Sequence, residues 1–130
     1  MIYRFFILLF ILHLTSFSSM AQNTPKGKLM HNVYFYMAND ATDADRAQLQ
    51  KGIASLGGIK TVKSFAIGTP ATTEARDVID ATYAFYLMTA FDDMAGHDVY
   101  QKDPIHLKFI EDNKHLWTRV QVYDSEMKSQ

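Results

Sequence analysis

The segment "YQKDPIHLKF" (residues 100–109) carries two side chains that can do chemistry, Tyr100 and His106, with Pro104 between them. A histidine can take or give a proton near neutral pH, and a tyrosine hydroxyl can hold that proton or polarise a carbonyl oxygen. The pair therefore suits acid–base chemistry at the mouth of a site. The alternative is a kinked helix in which His106 serves the helix start and Tyr100 packs with its hydroxyl reaching water.

Other kinds of chemistry have no motif in this chain. There is no cysteine, no glycine-rich phosphate loop and no Gly-x-Ser-x-Gly elbow. The histidines form neither a His-x-His pair nor a His-Glu-x-x-His motif, so no metal site and no cofactor are expected. His97 and His115 are expected to lie on the surface of helices. With 13 basic and 14 acidic side chains, no basic stripe is left for nucleic acid.

The N-terminus predicts export. Arg4 precedes an apolar run over residues 5–14, and small residues follow up to Ala21. This series is typical of a secretory signal peptide over residues 1–21, and the apolar run is too short to span a membrane. We therefore expect a periplasmic or secreted protein with no membrane attachment after cleavage. Residues 22–28 contain Pro and Gly among polar residues and are predicted to be a flexible leader.

The remaining chain predicts four strands and intervening helices. Thr42 is a predicted N-cap, and Leu49, Ile53 and Leu56 form one buried stripe. The strands are expected at residues 29–37, 62–68, 82–91 and 118–124, and the helices at 43–56, 93–100 and 104–116. The resulting βαββαβ order indicates an α+β, ferredoxin-like domain over residues 29–125, with a four-stranded antiparallel sheet and a tail at 126–130. Trp117 is expected to fill the core.

Strand alternation makes both faces of this sheet apolar. One face, toward the helices, would carry His31, Val33, Phe35, Phe85, Leu87, Val120 and Val122. The other would carry Tyr34, Tyr36, Phe65, Ile67, Tyr86, Met88 and Tyr123. A solvated antiparallel face normally alternates to polar residues, so a second copy of the same sheet is the expected cover, giving a two-fold homodimer. The alternative is a monomer with a half-wet, tyrosine-rich face.

Five segments together resemble the stress-responsive A/B barrel (Dabb) family. They are "HNVYFYM", "GIKTVKSFAIG", "TYAFYLMTAF", "VYQKDPIHLKF" and "WTRVQVYD". The family shows a strand opening with His-x-Val-x-Phe, a Tyr-x-x-x-Pro-x-His segment and a final Val-x-Val-x-Asp strand. The resemblance spans residues 29–124 and implies a dimeric α+β barrel, in agreement with the two apolar faces.

The resemblance also implies a set of site residues. In a plant polyketide cyclase of this fold, a pocket between sheet and helices holds side chains that match His31, Tyr100 and His106 here. Phe85 stands where that cyclase has a further histidine, and Phe85, Val33 and Phe109 are expected to contact a ligand. The expected function is binding of a small apolar or aromatic molecule. The alternatives are an acid–base enzyme, polyketide-cyclase-like or cofactorless-oxygenase-like, and a non-catalytic dimerisation module.

Overall fold

A computed structural model describes residues 27–128 of the chain. The predicted signal peptide and most of the predicted leader lie outside the described residues. Within them the elements are β1 (Leu29–Tyr36), α1 (Asp43–Ser55), a 3-10 turn (Leu56–Gly58), β2 (Ser64–Gly68), β3 (Phe85–Phe91), α2 (Met94–Lys102), α3 (Pro104–Asn113) and β4 (Arg119–Glu126). No helix in this range is long and apolar enough to cross a membrane.

The four strands form one antiparallel sheet in the order β2-β3-β1-β4. This confirms the predicted α+β, ferredoxin-like architecture. Strand β1 is central and pairs with both β3 and β4. His31 on β1 therefore lies opposite Thr89 on one side and Asp124 on the other. Directly opposed residues of an antiparallel pair project to the same face, so these three side chains share the face that the helices cover.

Short polar side chains begin each helix. Thr42 and Asp45 form a reciprocal capping box at α1, and Asp93 accepts a hydrogen bond from the Gly96 amide at α2. Asp103 ends α2 and also caps α3, with an extended backbone (φ −64°, ψ 137°) that Pro104 follows as the first helical residue. A residue before proline is disfavoured in the helical region, so the chain turns between α2 and α3. This turn allows both helices to direct side chains at the sheet.

The core lies between the sheet and the helices. The predicted stripe of α1 is confirmed, since Leu49, Ile53 and Leu56 are each at most 1% exposed. Trp117 packs against this core as expected, and its ring centroid lies 5.4 Å from that of Phe35 and 5.7 Å from that of Phe109.

The prediction for strand β2 was wrong. Phe65 and Ile67 lie on the helix-covered face, because they are paired with Thr89 and Leu87 of β3. The outward positions of β2 are the small residues Ser64, Ala66 and Gly68. The aromatic patch on the outer face is therefore confined to the other three strands, where its members are Tyr34, Tyr36, Tyr86, Met88 and Tyr123.

The sheet edge extends slightly beyond the predicted domain. The Lys28 amide donates to the Phe91 carbonyl at 2.8 Å, and the Met127 amide donates to the Lys28 carbonyl at 2.7 Å. Gly27 adopts a φ of 119°, and a Cβ there would stand 2.7 Å from the Phe91 carbonyl oxygen. Only glycine fits this position without strain. Residues 27 and 28, within the predicted leader, thus belong to the folded edge.

Candidate functional site

A cavity of about 230 Å³ lies between the sheet and helices α2 and α3. Its walls are mostly aliphatic and aromatic side chains from β1, β3, β4 and the helices. Four polar side chains join them. The lining residues are His31, Val33, Phe35, Leu56, Leu87, Tyr100, Gln101, His106, Phe109, Ile110, Trp117, Val120 and Val122. The cavity thus combines apolar walls with a few convergent polar groups, which is the usual composition of a small-molecule site.

His31 enters the cavity from strand β1 and is held by Asp124 of β4. It is 6% exposed, and its Nδ1 lies 2.6 Å from the Asp124 Oδ1. A carboxylate can only accept, so Nδ1 donates and the neutral ring keeps an unprotonated Nε2. Burial lowers the pKa of His31, while the hydrogen bond and charge of Asp124 oppose that change. The neutral ring is therefore favoured near pH 7 and can act as a proton acceptor.

Tyr100 lies between the two histidines of the cavity. Its ring centroid is 5.8 Å from that of His31 and 4.7 Å from that of His106. The side chain is 1% exposed, and burial raises its pKa far above the ordinary value. Its hydroxyl therefore stays protonated at neutral pH. Among the described residues no group hydrogen-bonds to that hydroxyl, which leaves it available to a ligand.

His106 lies in the first turn of α3 and is turned inward to the same cavity. Its Nδ1 is buried and has no hydrogen-bond partner within the described part of the chain. Burial lowers the pKa of His106, and the nearby His31 and His97 lower it further; Asp103 and the Gln101 carbonyl act in the opposite direction. The unpaired ring nitrogen is a second group that a ligand can satisfy.

The predicted apolar contacts divide into two groups. Val33 and Phe109 line the cavity beside His31, Tyr100 and His106. Phe85 does not line it, although it is buried on the same face at 5% exposure. Phe85 is paired with Phe35 at the start of β3, and the cavity-lining residue of that strand is Leu87, two positions further on.

His97 was predicted to be a surface residue, and the structure contradicts this. Its ring is half-buried, with a centroid 5.0 Å from that of His31 and 6.3 Å from that of Tyr100. His97 and Tyr100 are three residues apart and share one face of α2, a spacing that would have identified His97 from the sequence. His115, by contrast, is exposed as expected, although it lies in the turn after α3 and not on a helix.

Asp124 is a site residue that the sequence reasoning did not assign. It follows Val120 and Val122 at alternate positions of β4, and its register partner is His31. The period-two alternation carried this signal, since residues two apart on a strand share a face. The side chain is about half exposed (48%), so it forms the solvent edge of the pair with His31.

A larger depression of about 630 Å³ runs between α1 and α3. Its rim is formed by long polar side chains such as Gln48, Lys51 and Lys108, and it is open to solvent. None of the cavity histidines and tyrosines reaches it. The smaller cavity is the better candidate site because only there do buried ionisable groups converge.

Comparison with known proteins gives a consistent family and fold. Residues 29–127 match the family model described as the Stress Responsive A/B Barrel Domain, Dabb. No curated protein matches the chain in a sequence comparison. Among solved structures, the chain resembles the protein At3g17210 of Arabidopsis thaliana, with a TM-score of 0.65, 19% identity, and coverage of 78% of this chain and 97% of that one.

Two further solved structures are similar. One is a dimeric ferredoxin-like protein of unknown function from Thermobifida fusca, with a TM-score of 0.64, 18% identity, and coverage of 81% of this chain and 96% of that one. The other is the hydroxynitrile lyase of Passiflora edulis, with a TM-score of 0.67, 15% identity, and coverage of 82% and 98%. At these identities the likeness concerns the fold alone.

Proposed function

This chain belongs to the stress-responsive A/B barrel (Dabb) family, and from that premise we propose that it binds a small apolar or aromatic molecule between its sheet and helices α2 and α3. The observation that carries the proposal is the cavity of about 230 Å³ in which His31, Tyr100 and His106 meet apolar walls. Apolar walls supply affinity through burial, and the few polar groups set the orientation of the ligand.

Size and polarity limit the ligand. An apolar cavity of about 150 Å³ can hold benzene, so this one suits a single aromatic ring with a short substituent. The Tyr100 hydroxyl can donate a hydrogen bond, and the His31 Nε2 can accept one. A ring carrying one carbonyl or hydroxyl group would use both the walls and the polar side chains.

The proposal is tested with two probes of nearly equal shape, acetophenone and ethylbenzene, in ligand-observed NMR. We expect both to bind and acetophenone to bind more tightly, because only its carbonyl can accept from Tyr100. Val122, at the cavity rim and 39% exposed, is replaced by Trp to fill the space. The matched control is Val78→Trp, in a loop and 85% exposed. Equal binding by both variants would contradict the proposal.

We also propose that the protein is a homodimer whose outer sheet faces meet. The support is the aromatic patch described above, which the described chain covers only in part: Tyr83 and Arg119 pack on Tyr34 and Tyr36, while Tyr123 is 58% exposed. Contiguous aromatic surface of this kind marks an interaction site. Solved relatives of this fold from Thermobifida fusca and Bacteroides fragilis are described as dimeric.

The second candidate function is acid–base catalysis, and the His31–Asp124 contact of 2.6 Å favours it. A carboxylate that holds Nδ1–H fixes the ring and directs Nε2 as a base. In such a reaction, Nε2 would remove a proton from the carbon next to a carbonyl, and Tyr100 would hydrogen-bond the oxygen of the resulting enolate. The proton would then return to carbon or to solvent, without any cofactor.

Deuterium exchange separates an enzyme from a binder. In D₂O, a catalyst would exchange the methyl protons of acetophenone, and His31→Gln would lower that rate by about 100-fold or more, the usual contribution of a general base. Ethylbenzene has no carbonyl and serves as the control that cannot exchange. Exchange no faster than in buffer alone, with acetophenone bound, would leave ligand binding as the function.

We further propose that the protein is exported and that its mature chain begins at Gln22. The support lies in the sequence alone: one basic residue, an apolar run of ten residues and small residues ending at Ala21.

A further inference from the structure

Three metal-binding side chains from three separate elements meet at the rim of the cavity. They are His31 of β1, His97 of α2 and Asp124 of β4. One ligand atom from each, a ring nitrogen or a carboxylate oxygen, lies within 4.8 Å of the other two. The closest pair is the His31 Nδ1 and the Asp124 Oδ1 at 2.6 Å. The strand register and the face of α2 bring together residues that lie far apart in the sequence.

The His97 ring supplies an independent observation. Its Nε2 lies 3.1 Å from the Gln101 side-chain amide, one helical turn further along α2. Its Nδ1 is buried and has no hydrogen-bond partner among the described residues. Buried polar atoms are almost always paired, so the unpaired ring nitrogen of a histidine that stands near a second histidine and a carboxylate needs a partner. As placed, the Gln101 amide nitrogen donates to Nε2; once Nδ1 binds an ion, Nε2 carries the ring proton, and the Gln101 amide would turn so that its oxygen accepts from it.

We propose that His31, His97 and Asp124 bind a divalent first-row transition-metal ion of the Zn²⁺ class. Imidazole nitrogens select such ions over Mg²⁺ and Ca²⁺, which prefer oxygen, and two histidines with one carboxylate are a common three-ligand set that leaves a coordination position open. Bonds of about 2.1 Å require ligand atoms separated by roughly 3.4 Å. The ligand atoms now lie within 4.8 Å of one another, so they would have to adjust to that spacing, and the half-exposed Asp124 carboxylate lies at the solvent edge, where it has room to turn.

The metal site adjoins the cavity but does not depend on a ligand in it. Only His31 belongs to both sets, since neither His97 nor Asp124 lines the cavity. A bound ion would replace the hydrogen bond between His31 and Asp124 with two metal–ligand bonds, and the proton displaced from the His31 Nδ1 would move to Nε2, which would then donate to a cavity ligand instead of accepting from it. It would also place a positive charge at the cavity rim, where it could bind a carbonyl or anionic group of a ligand.

The test uses full-length protein purified without a polyhistidine tag and freed of metal with a chelator. Calorimetric titration with Zn²⁺ should show one ion per chain, and Co²⁺ should give visible absorption bands of a protein-bound ion. His97→Gln should weaken Zn²⁺ binding by at least about 100-fold, because loss of an outer partner alone costs 10- to 100-fold. His115→Gln, at an exposed histidine, is the matched control and should bind like the wild type.

Asp124→Asn, on the exposed edge of β4, provides a second variant should His97→Gln fail to fold, and it should also lose most of its affinity for Zn²⁺. His106 lines the cavity but is not one of the proposed metal ligands, so His106→Ala should bind Zn²⁺ normally. A failure of the small-molecule proposal can thus be distinguished from a failure of the metal proposal. Absence of Zn²⁺ binding to the wild type at tens of micromolar would overturn the metal site. So would folded His97→Gln and Asp124→Asn variants that bind Zn²⁺ as the wild type does.

Discussion

Removal of one hydroxyl group, in Tyr100→Phe, should make the protein more stable and its cavity less selective. Tyr100 is 1% exposed, and its hydroxyl has no partner among the described residues. The hydroxyl lines the cavity and depends on cavity water for a hydrogen bond, which is a cost to folding, whereas the phenyl ring of the variant keeps the same packing against the neighbouring rings.

The expected magnitude follows from that burial. A buried hydroxyl without a partner costs about 1–3 kcal/mol in mutational data. We expect the lower end, an increase of about 1 kcal/mol in the free energy of unfolding, because water in the cavity offsets part of the cost. For a domain of about 100 residues, this raises Tm by about 4–8 °C.

The preference for acetophenone over ethylbenzene should fall in the same variant, although its stability rises. A hydrogen bond from Tyr100 to the acetophenone carbonyl contributes about 0.5–1.5 kcal/mol. Its loss should reduce the preference for acetophenone over ethylbenzene by about 2- to 13-fold. Affinity for ethylbenzene should stay the same, because the apolar walls are unchanged.

The two measurements are thermal unfolding at equal chain concentration and competition NMR with both probes. Tyr36→Phe is the control for sign, since the Tyr36 hydroxyl donates to Asp80 Oδ2 at 2.8 Å and its loss should not raise Tm. A drop in Tm for Tyr100→Phe, with the probe preference unchanged, would refute the reasoning, because it would mean that the hydroxyl is paired inside the protein.

Replacing both Tyr86 and Met88 by Asp should split or unfold the proposed dimer, because charge would be buried without a partner; sedimentation of the wild type as a monomer at tens of micromolar would contradict the dimer. Protein recovered from its native host should have the intact mass of a chain beginning at Gln22, and a mass that includes residues 1–21 would rule out cleavage after Ala21. The lowered pKa of His106 means that the unfolded chain binds more protons below about pH 6.5, so the free energy of unfolding should fall between about pH 7 and pH 5. His106→Leu should reduce this fall in denaturant titrations, and an unchanged fall would show that His106 titrates alike in both states.

Local chemistry made much of the fold predictable from the sequence. The cap at Thr42, the buried stripe of α1 and the break at Asp103-Pro104 depend on residues close together along the chain, and each lies where predicted. Strand alternation likewise placed His31 on the helix-covered face of β1. Residue types marked Tyr100 and His106 as a pair able to do chemistry, and resemblance to the family grouped them with His31; the structure brings all three to one cavity.

Strand β2 shows where local pattern was insufficient. Its alternation places Phe65 and Ile67 on one face and the small residues Ser64, Ala66 and Gly68 on the other. Alternation alone does not say which set faces the helices. The register with β3 decides this, by pairing Phe65 with Thr89. A shift of register by one residue would exchange the two faces of a strand, so the choice belongs to the assembled sheet.

The sequence by itself thus determined the elements, their order and the candidate side chains His31, Tyr100 and His106. Only the tertiary structure decided which of those side chains meet. His97 lies beside His31 because α2 packs on the sheet against Phe91 of the neighbouring strand β3, and Asp124 reaches His31 because β4 pairs with β1 in one register. These contacts join residues 66 and 93 positions apart. No periodicity of a single helix or strand reports such distances, since they result from the packing of whole elements around a shared core.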